Sequence, residues 1–374
     1  MVELPAWAIP LAGLATGILV GYMVRRARLC TFGAIEDAVI GHDWRRMKIF
    51  GLALAVALAL TQAMVLAGVF DTGRSTLAGP RLPWLSILAG SLLFGLGMAL
   101  VGTCAFGSLI RLGGGDMRSF VVILVFSLAA YAVLRGSLAP LRISVLETVF
   151  INGPGGRQAT FSDLLAYLTG RDLRFAAVAA IVLLFAGLAL VDTRLWRTPR
   201  LLAAALTLGL GVAAGWFFTG VAVDPFDQHP SRVQSLTFVA PTARAILLIA
   251  APETNGIDFG VASVAGVVAG AWLHAVINRE FRWEAFDDDR EMRRHIAGAL
   301  LMGLGGILAG GCTIGQGLSG GSLLSLSWPL AVGGMIVGAR LGLGLILEGS
   351  LREWLRNRYL LLSSFFEPRR EKRE

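Results

Sequence analysis

Long runs with few or no charges alternate along this chain with short clusters of charged residues. Runs long enough to cross a hydrocarbon core of about 30 Å lie at 4–24, 49–70, 82–103, 119–134, 175–191, 201–220, 259–278, 296–311 and 327–347. They are rich in Leu, Ala, Val and Gly and lack period-2 alternation, which predicts nine membrane-spanning helices and excludes a transmembrane β-barrel. The first run has no basic leader and no Ala-x-Ala site, and Arg25, Arg26 and Arg28 follow it, so it reads as a retained span. Four segments, 31–41, 104–111, 312–319 and the stretch around Phe238–Thr242, are too short to span and contain Gly, Thr or Pro. They predict re-entrant half-helices, because irregular backbone at that depth is tolerated only where it lines a cavity or is buried in protein. The expected fold is an all-α integral membrane protein of about nine transmembrane helices plus about four half-helices.

Composition agrees with this class and narrows the partners. The 374 residues are 55% hydrophobic and 16% charged, and the mean hydropathy is +0.70, outside the range of soluble domains. A net charge of +8 would suit a nucleic-acid binder, but its distribution reports orientation instead. Of the 33 Lys and Arg, 23 fall in the loops after the first, third, fifth and seventh helices and in the tail, whereas nine fall after the second, fourth and sixth. The positive-inside rule then places the N-terminus in the periplasm and the basic tail, 349–374, in the cytoplasm. No nucleic-acid partner is called for; the tail reads as a topology determinant or a contact with anionic membrane lipid.

Glycine is the next departure, at 47 residues. Close helix packing in the membrane explains most of them. It leaves three clusters in which glycine surrounds a cysteine: Cys30-Thr31-Phe32-Gly33, Cys104-Ala105-Phe106-Gly107 and Cys312-Thr313-Ile314-Gly315-Gln316. All three cysteines of the chain stand in a Cys-x-x-Gly pattern, each after a long apolar run and before a short segment. The stretch 95–107 aligns without gaps on 303–315 with seven of thirteen positions identical, an internal repeat at an offset of 208 residues. A weaker echo sets Gly17 and Gly21 against Gly266 and Gly270. The helices ending at Cys104 and Cys312 are the third and eighth, so they run in opposite directions and the repeat predicts two inverted halves, 1–200 and 201–348. Such halves place a substrate site near the bilayer midplane.

A cysteine just before a short helix lies beside unpaired backbone N–H groups and the positive end of a helix dipole, which is an anion site. A thiol there adds a soft contact that a sulfate or phosphate site does not need, so a sulfur oxyanion is the expected ligand. The other readings are specific. The cysteines are alternatively small packing residues. No Cys-x-x-Cys or paired His suggests a metal, and no cofactor is expected. Glu36 and Asp37 either face the cytoplasmic interface or carry protons. Arg111 either attracts the anion or snorkels to the headgroups. His274 falls within a span as a packing residue or a relay, and His229 sits in a loop.

The three Cys-x-x-Gly clusters, with Gly107-Ser-Leu-Ile-Arg111-Leu-Gly-Gly-Gly115 and Gly315-Gln-Gly-Leu-Ser-Gly320, resemble the YeeE/YedE family of sulfur transporters over the whole chain. The resemblance implies a thiosulfate permease of the bacterial inner membrane, with nine spans, inverted halves and re-entrant helices meeting at a narrow waist. It implies that Cys30, Cys104 and Cys312 pass thiosulfate along the pathway, with Thr31, Gly33, Ala105, Gly107, Thr313, Gly315 and Gln316 around them. A cytoplasmic TusA-like sulfur carrier or sulfurtransferase is the implied partner. The segment 136–174 is longer than the family core requires and receives no role. Moving a dianion inward against about 100 mV costs about 4.6 kcal/mol at about 2.3 per charge, and no nucleotide-binding Gly-x-x-x-x-Gly-Lys motif is present. Import is therefore either proton-coupled or drawn by consumption inside. Transport of another small sulfur or selenium species, a membrane thiol sulfurtransferase, and a structural scaffold are the competing readings.

Overall fold

A computed structural model describes residues 7–171, 173–221, 233–250 and 256–348. The basic tail and His229 lie outside the described residues. Helices dominate: α1 (Ala8–Ala27), α2 (Thr31–Val39), α3 (Arg45–Leu66), α4 (Trp84–Val101), α5 (Ala105–Gly113), α6 (Met117–Leu134), α7 (Phe161–Thr169), α8 (Arg174–Leu190) and α9 (Pro199–Val221). They continue with α10 (Val239–Ala250), α11 (Phe259–Ile277), α12 (Asp289–Leu308), α13 (313–322, π-helical over Gly315–Gly320) and α14 (Ser327–Glu348). The strands Arg81–Leu82 and Ile151–Asn152 pair in one two-stranded ribbon.

Each of the nine uncharged runs falls on a helix of 17 to 23 residues: α1, α3, α4, α6, α8, α9, α11, α12 and α14. Seven of the described helices are long and apolar enough to cross a membrane. The chain is an all-α, multi-pass membrane protein. The other two runs fall on α8, at 17 residues the shortest of the nine, and α12, whose first turns carry Asp289, Arg290, Glu291, Arg293 and Arg294. Aspartates set several starts: the carboxylates of Asp116, Asp258 and Asp288 accept from the backbone N–H of Arg118, Val261 and Glu291, filling orphan donors of α6, α11 and α12. Glycine sets two stops. Gly102 after α4 (φ 75°) and Gly310 after α12 (φ 73°) take left-handed conformations and turn the chain at once toward Cys104 and Cys312.

Packing rests on glycine. Gly13, Gly17 and Gly21 of α1 lie against Phe259, Ser263 and Val267 of α11, while Gly266 and Gly270 lie against Leu14 and Ile18, so a Cβ at any of these positions would run into backbone. Residue numbers rise together on the two helices, and α1 and α11 are parallel. The echo of Gly17 and Gly21 in Gly266 and Gly270 is thus a match between two faces that touch. It does not relate two copies of an inverted repeat, which would run opposite ways. Helices α4 and α12 cross the other way: Gly90 meets Ala309 and Gly305, and Gly97 meets Gly298 and Met302. Shifting the Gly90–Gly305 contact by the repeat offset gives Gly298 and Gly97, which is the second contact. Neighbours come in the same matched sets: α1 packs on α11 as α9 on α3, and α4 on α14 as α12 on α6.

Four short helices, α2, α5, α10 and α13, occupy the segments too short to span. At 1.5 Å per residue the nine-residue α2 and α5 rise about 14 Å, half a hydrocarbon core. The C-terminal ends of α2 and α5 lie on the side where α1, α4 and α11 end. There the turn after α5 is zipped to the loop after α11 by Arg282 N–H to Gly114 O and Met117 N–H to Glu284 O, with Arg118 bridging Asp116, Glu284 and Glu291. The C-terminal end of α13 lies at the opposite end of α4. The segment 136–174, left without a role by the sequence, covers it: Phe161 N–H donates to Leu324 O and Leu326 N–H to Ala159 O, while Ser325 Oγ donates to Leu77 O in the connection between α3 and α4.

Candidate functional site

The cysteine-to-glycine spacing has a local cause. A residue just before a helix can accept the backbone N–H of the third residue inside it, a role usually filled by Ser, Thr, Asp or Asn. Cys104 fills it for α5, accepting from Gly107 N–H at 3.3 Å, and Cys312 for α13, accepting from Gly315 N–H at 3.4 Å. Glycine is required at that third residue by what lies outside it. A Cβ at Gly107 would strike Thr103 Oγ1 and sit 3.6 Å from Cys30 Sγ, and one at Gly315 would meet Thr237 Oγ1 at 2.5 Å. Cys30 precedes α2 in an extended conformation without capping it, and its thiol turns to Thr103 Oγ1 at 3.6 Å.

The three clusters meet through threonines. Cys30 Sγ lies against Thr103, Cys104 S–H points to Thr31 Oγ1 at 3.9 Å, and Thr313 O–H donates to Thr31 Oγ1 at 3.4 Å. The N-terminal ends of α2, α5 and α13 thus converge on one hydroxyl and thiol cluster. The fourth short helix joins them through rings: Phe238, just before α10, stacks on Phe106 at 4.6 Å, and both are buried. The Cys104 sulfur thus accepts from a backbone amide and donates its S–H to a threonine hydroxyl. All three cysteines are free thiols, and no group of three His, Cys, Asp or Glu among the described residues could hold a metal ion.

A cavity of about 610 Å³ opens onto this cluster and ends at Cys30, Thr103 and Gly107. Arg25, Arg28, Arg111, Arg279 and Arg282 line its walls together with Glu280, which pairs with Arg28 at 3.3 Å. Arg25 is lodged against α5, donating to Ile110 O at 3.1 Å, and Arg111 donates to Gly102 O at 3.0 Å. The cavity is a cationic vestibule with a half-buried thiol at its inner end. Beyond it Cys104 and Cys312 have no exposed surface, so the cavity ends at Cys30.

The expected site residues divide on this geometry. Cys30, Thr31, Cys104, Cys312 and Thr313 come together; Ala105 and Gly107 are buried at the start of α5; Gly315 is buried in α13; and Arg111 lies on the vestibule wall. Gly33 faces Arg46 on the outer side of α2, where an added Cβ would lie 3.2 Å from Nη1. Gln316 is spent on structure: its Nε2 donates to Ala309 O at 2.8 Å and its Oε1 accepts from Ser327 Oγ at 3.1 Å. Glu36 is exposed and Asp37 pairs with Arg46 at 3.1 Å, both away from the cluster. Sequence reading passed over Thr103 and Thr237. The signal for Thr103 was present, since it precedes Cys104 as Thr31 follows Cys30.

The profile of a family described as sulphur transport matches residues 26–341. The thiosulfate transporter TsuA of Escherichia coli (strain K12) is 28% identical over 324 residues, covering 82% of this chain and 86% of the relative. The thiosulfate transporter TsuA of Spirochaeta thermophila is 25% identical over 351 residues, covering 85% and 93%.

Proposed function

This chain belongs to the sulphur transport family, and from that premise we propose that it imports thiosulfate across the bacterial inner membrane through the cluster at Thr31. The observation that carries the proposal is the convergence of three short-helix N-termini, with their thiols and threonine hydroxyls, at the bottom of an arginine-lined vestibule. Thiosulfate has two chemically different ends. The oxyanion end suits backbone N–H groups and hydroxyls; the sulfane sulfur suits S–H donors. The thiols act in the protonated form, since a buried thiolate would repel a dianion.

The short helices are read as re-entrant, entering in pairs from opposite sides, within inverted halves 1–200 and 201–348. The antiparallel crossing of α4 and α12 and the matched neighbour sets support this arrangement. With the N-terminus periplasmic and the C-terminus cytoplasmic, the arginine vestibule is the cytoplasmic mouth and Cys30 is the last thiol before exit. Glu280 is the carboxylate on the vestibule wall and is tied to Arg28, which favours import drawn by consumption over a proton carrier at the site. A cytoplasmic TusA-like carrier or sulfurtransferase that removes thiosulfate is the partner this reading calls for.

The test is growth on thiosulfate as sole sulfur source in a host stripped of other uptake routes. Expression of this chain restores growth; absence of any growth advantage, with the protein present in the membrane, rejects thiosulfate as the substrate.

A further inference from the structure

Beside the vestibule lies a second cavity of about 700 Å³, between the C-terminal ends of α1 and α11 and the N-terminal end of α9. Arg25, Arg28 and Glu280 stand between the two and line both. The second cavity adds Arg26, Arg197 and Arg200, the last in the first turn of α9, so several cations and a helix N-terminus face one space. Its carboxylate, Glu280, is already paired with Arg28. Another lining residue carries the argument further. His274 is 5% exposed, lies edge-on to Tyr22 with ring centroids 5.1 Å apart, and has a buried Nδ1 with no hydrogen-bond partner. Buried polar atoms are rarely left unpaired, and an oxygen of an occupant would complete this one.

We propose that this cavity binds the phosphate headgroup of an anionic phospholipid. Arginine clusters and a helix N-terminus suit phosphate oxygens, and His274 as its Nδ1–H tautomer supplies a further donor. The surroundings favour a lipid over a free anion. Next to His274, α11 exposes Trp272, Leu273, Val276 and Ile277, an apolar strip along which acyl chains can lie, and Trp196 is exposed at the same level of the fold. Helix ends bearing arginine and tryptophan are where headgroups sit. The site shares Arg25, Arg28 and Glu280 with the vestibule and contains none of the cysteines or threonines of the cluster.

The test is native mass spectrometry of the full chain, stripped of lipid in detergent and titrated with phosphatidylglycerol, phosphatidylcholine or inorganic phosphate. The wild type retains phosphatidylglycerol in preference to phosphatidylcholine, and Arg197→Gln with Arg200→Gln weakens that retention by about tenfold. His274→Phe, which keeps the ring and removes the donor, also weakens it while elution on gel filtration is unchanged. Equal retention of the two lipids, or undiminished retention by the double variant, overturns the site. Displacement of phosphatidylglycerol by inorganic phosphate at equal concentration overturns the lipid as its ligand. None of these readouts depends on transport of thiosulfate.

Discussion

At the scale of single residues, chemistry in this protein is arranged by pairs. Cys30 and Cys104 each stand next to a threonine that meets the other: Thr31 follows Cys30 and meets Cys104, and Thr103 precedes Cys104 and meets Cys30. Thr31 holds the set together because Thr313 also donates to it. Thr31→Val keeps the volume and removes the hydroxyl, so initial thiosulfate uptake is expected to fall by about tenfold, the worth of about 1.4 kcal/mol, while Thr31→Ser retains most of it. Radiolabelled uptake into proteoliposomes reads both variants, and equal rates for Thr31→Val and wild type would contradict the role. The cysteines were legible in the sequence because all three share a spacing, and the structure supplies its cause in the third-residue N–H that Cys104 and Cys312 accept. Gln316 stands beside a motif cysteine, and its side chain ties α13 to Ala309 and Ser327, a use that no local pattern discloses.

At the scale of elements, glycine decides which helices touch. Gly266 of α11 sits against the backbone of α1 at Leu14 and Gly17. Gly266→Leu forces overpacking at that crossing and is expected to lower stability by about 1–3 kcal/mol, seen as a depressed Tm in detergent. Gly187 of α8 faces open space, with nothing near a Cβ placed there. Gly187→Ala should leave Tm unchanged or raise it, since Ala is favoured over Gly by about 1 kcal/mol in a helix interior. A Tm loss for Gly187→Ala as large as that for Gly266→Leu would contradict the packing described. Nine long helices could be read from runs with few or no charges, and seven of them are long and apolar enough to cross a membrane, because a span leaves a pattern in consecutive residues. The faces they use could not. The likeness of Gly17 and Gly21 to Gly266 and Gly270 arises from contact between parallel helices, and identity of spacing alone does not separate that from duplication.

At the scale of the whole molecule, arginines from the most basic loops also build the vestibule. Arg25, Arg28, Arg279 and Arg282 belong to the basic excess from which the sequence predicts the cytoplasmic side, and the fold brings them from loops some 250 residues apart to one mouth. That second use was invisible in the chain because it depends on α1 and α11 ending side by side. A substrate that crosses as a dianion without a co-transported proton makes uptake electrogenic. An inside-positive potential of about 100 mV should then raise equilibrium accumulation by about 10³-fold over zero potential, from about 4.6 kcal/mol. Accumulation independent of potential would show that compensating charge moves with it. The central claim is that the thiols at the converging helix ends form one route, and radiolabelled thiosulfate uptake into proteoliposomes by Cys104→Ala with Cys312→Ala tests it most directly. The double variant, folded to the same Tm as wild type, is predicted to take up thiosulfate no faster than empty vesicles; uptake at the wild-type rate would contradict a route through these cysteines.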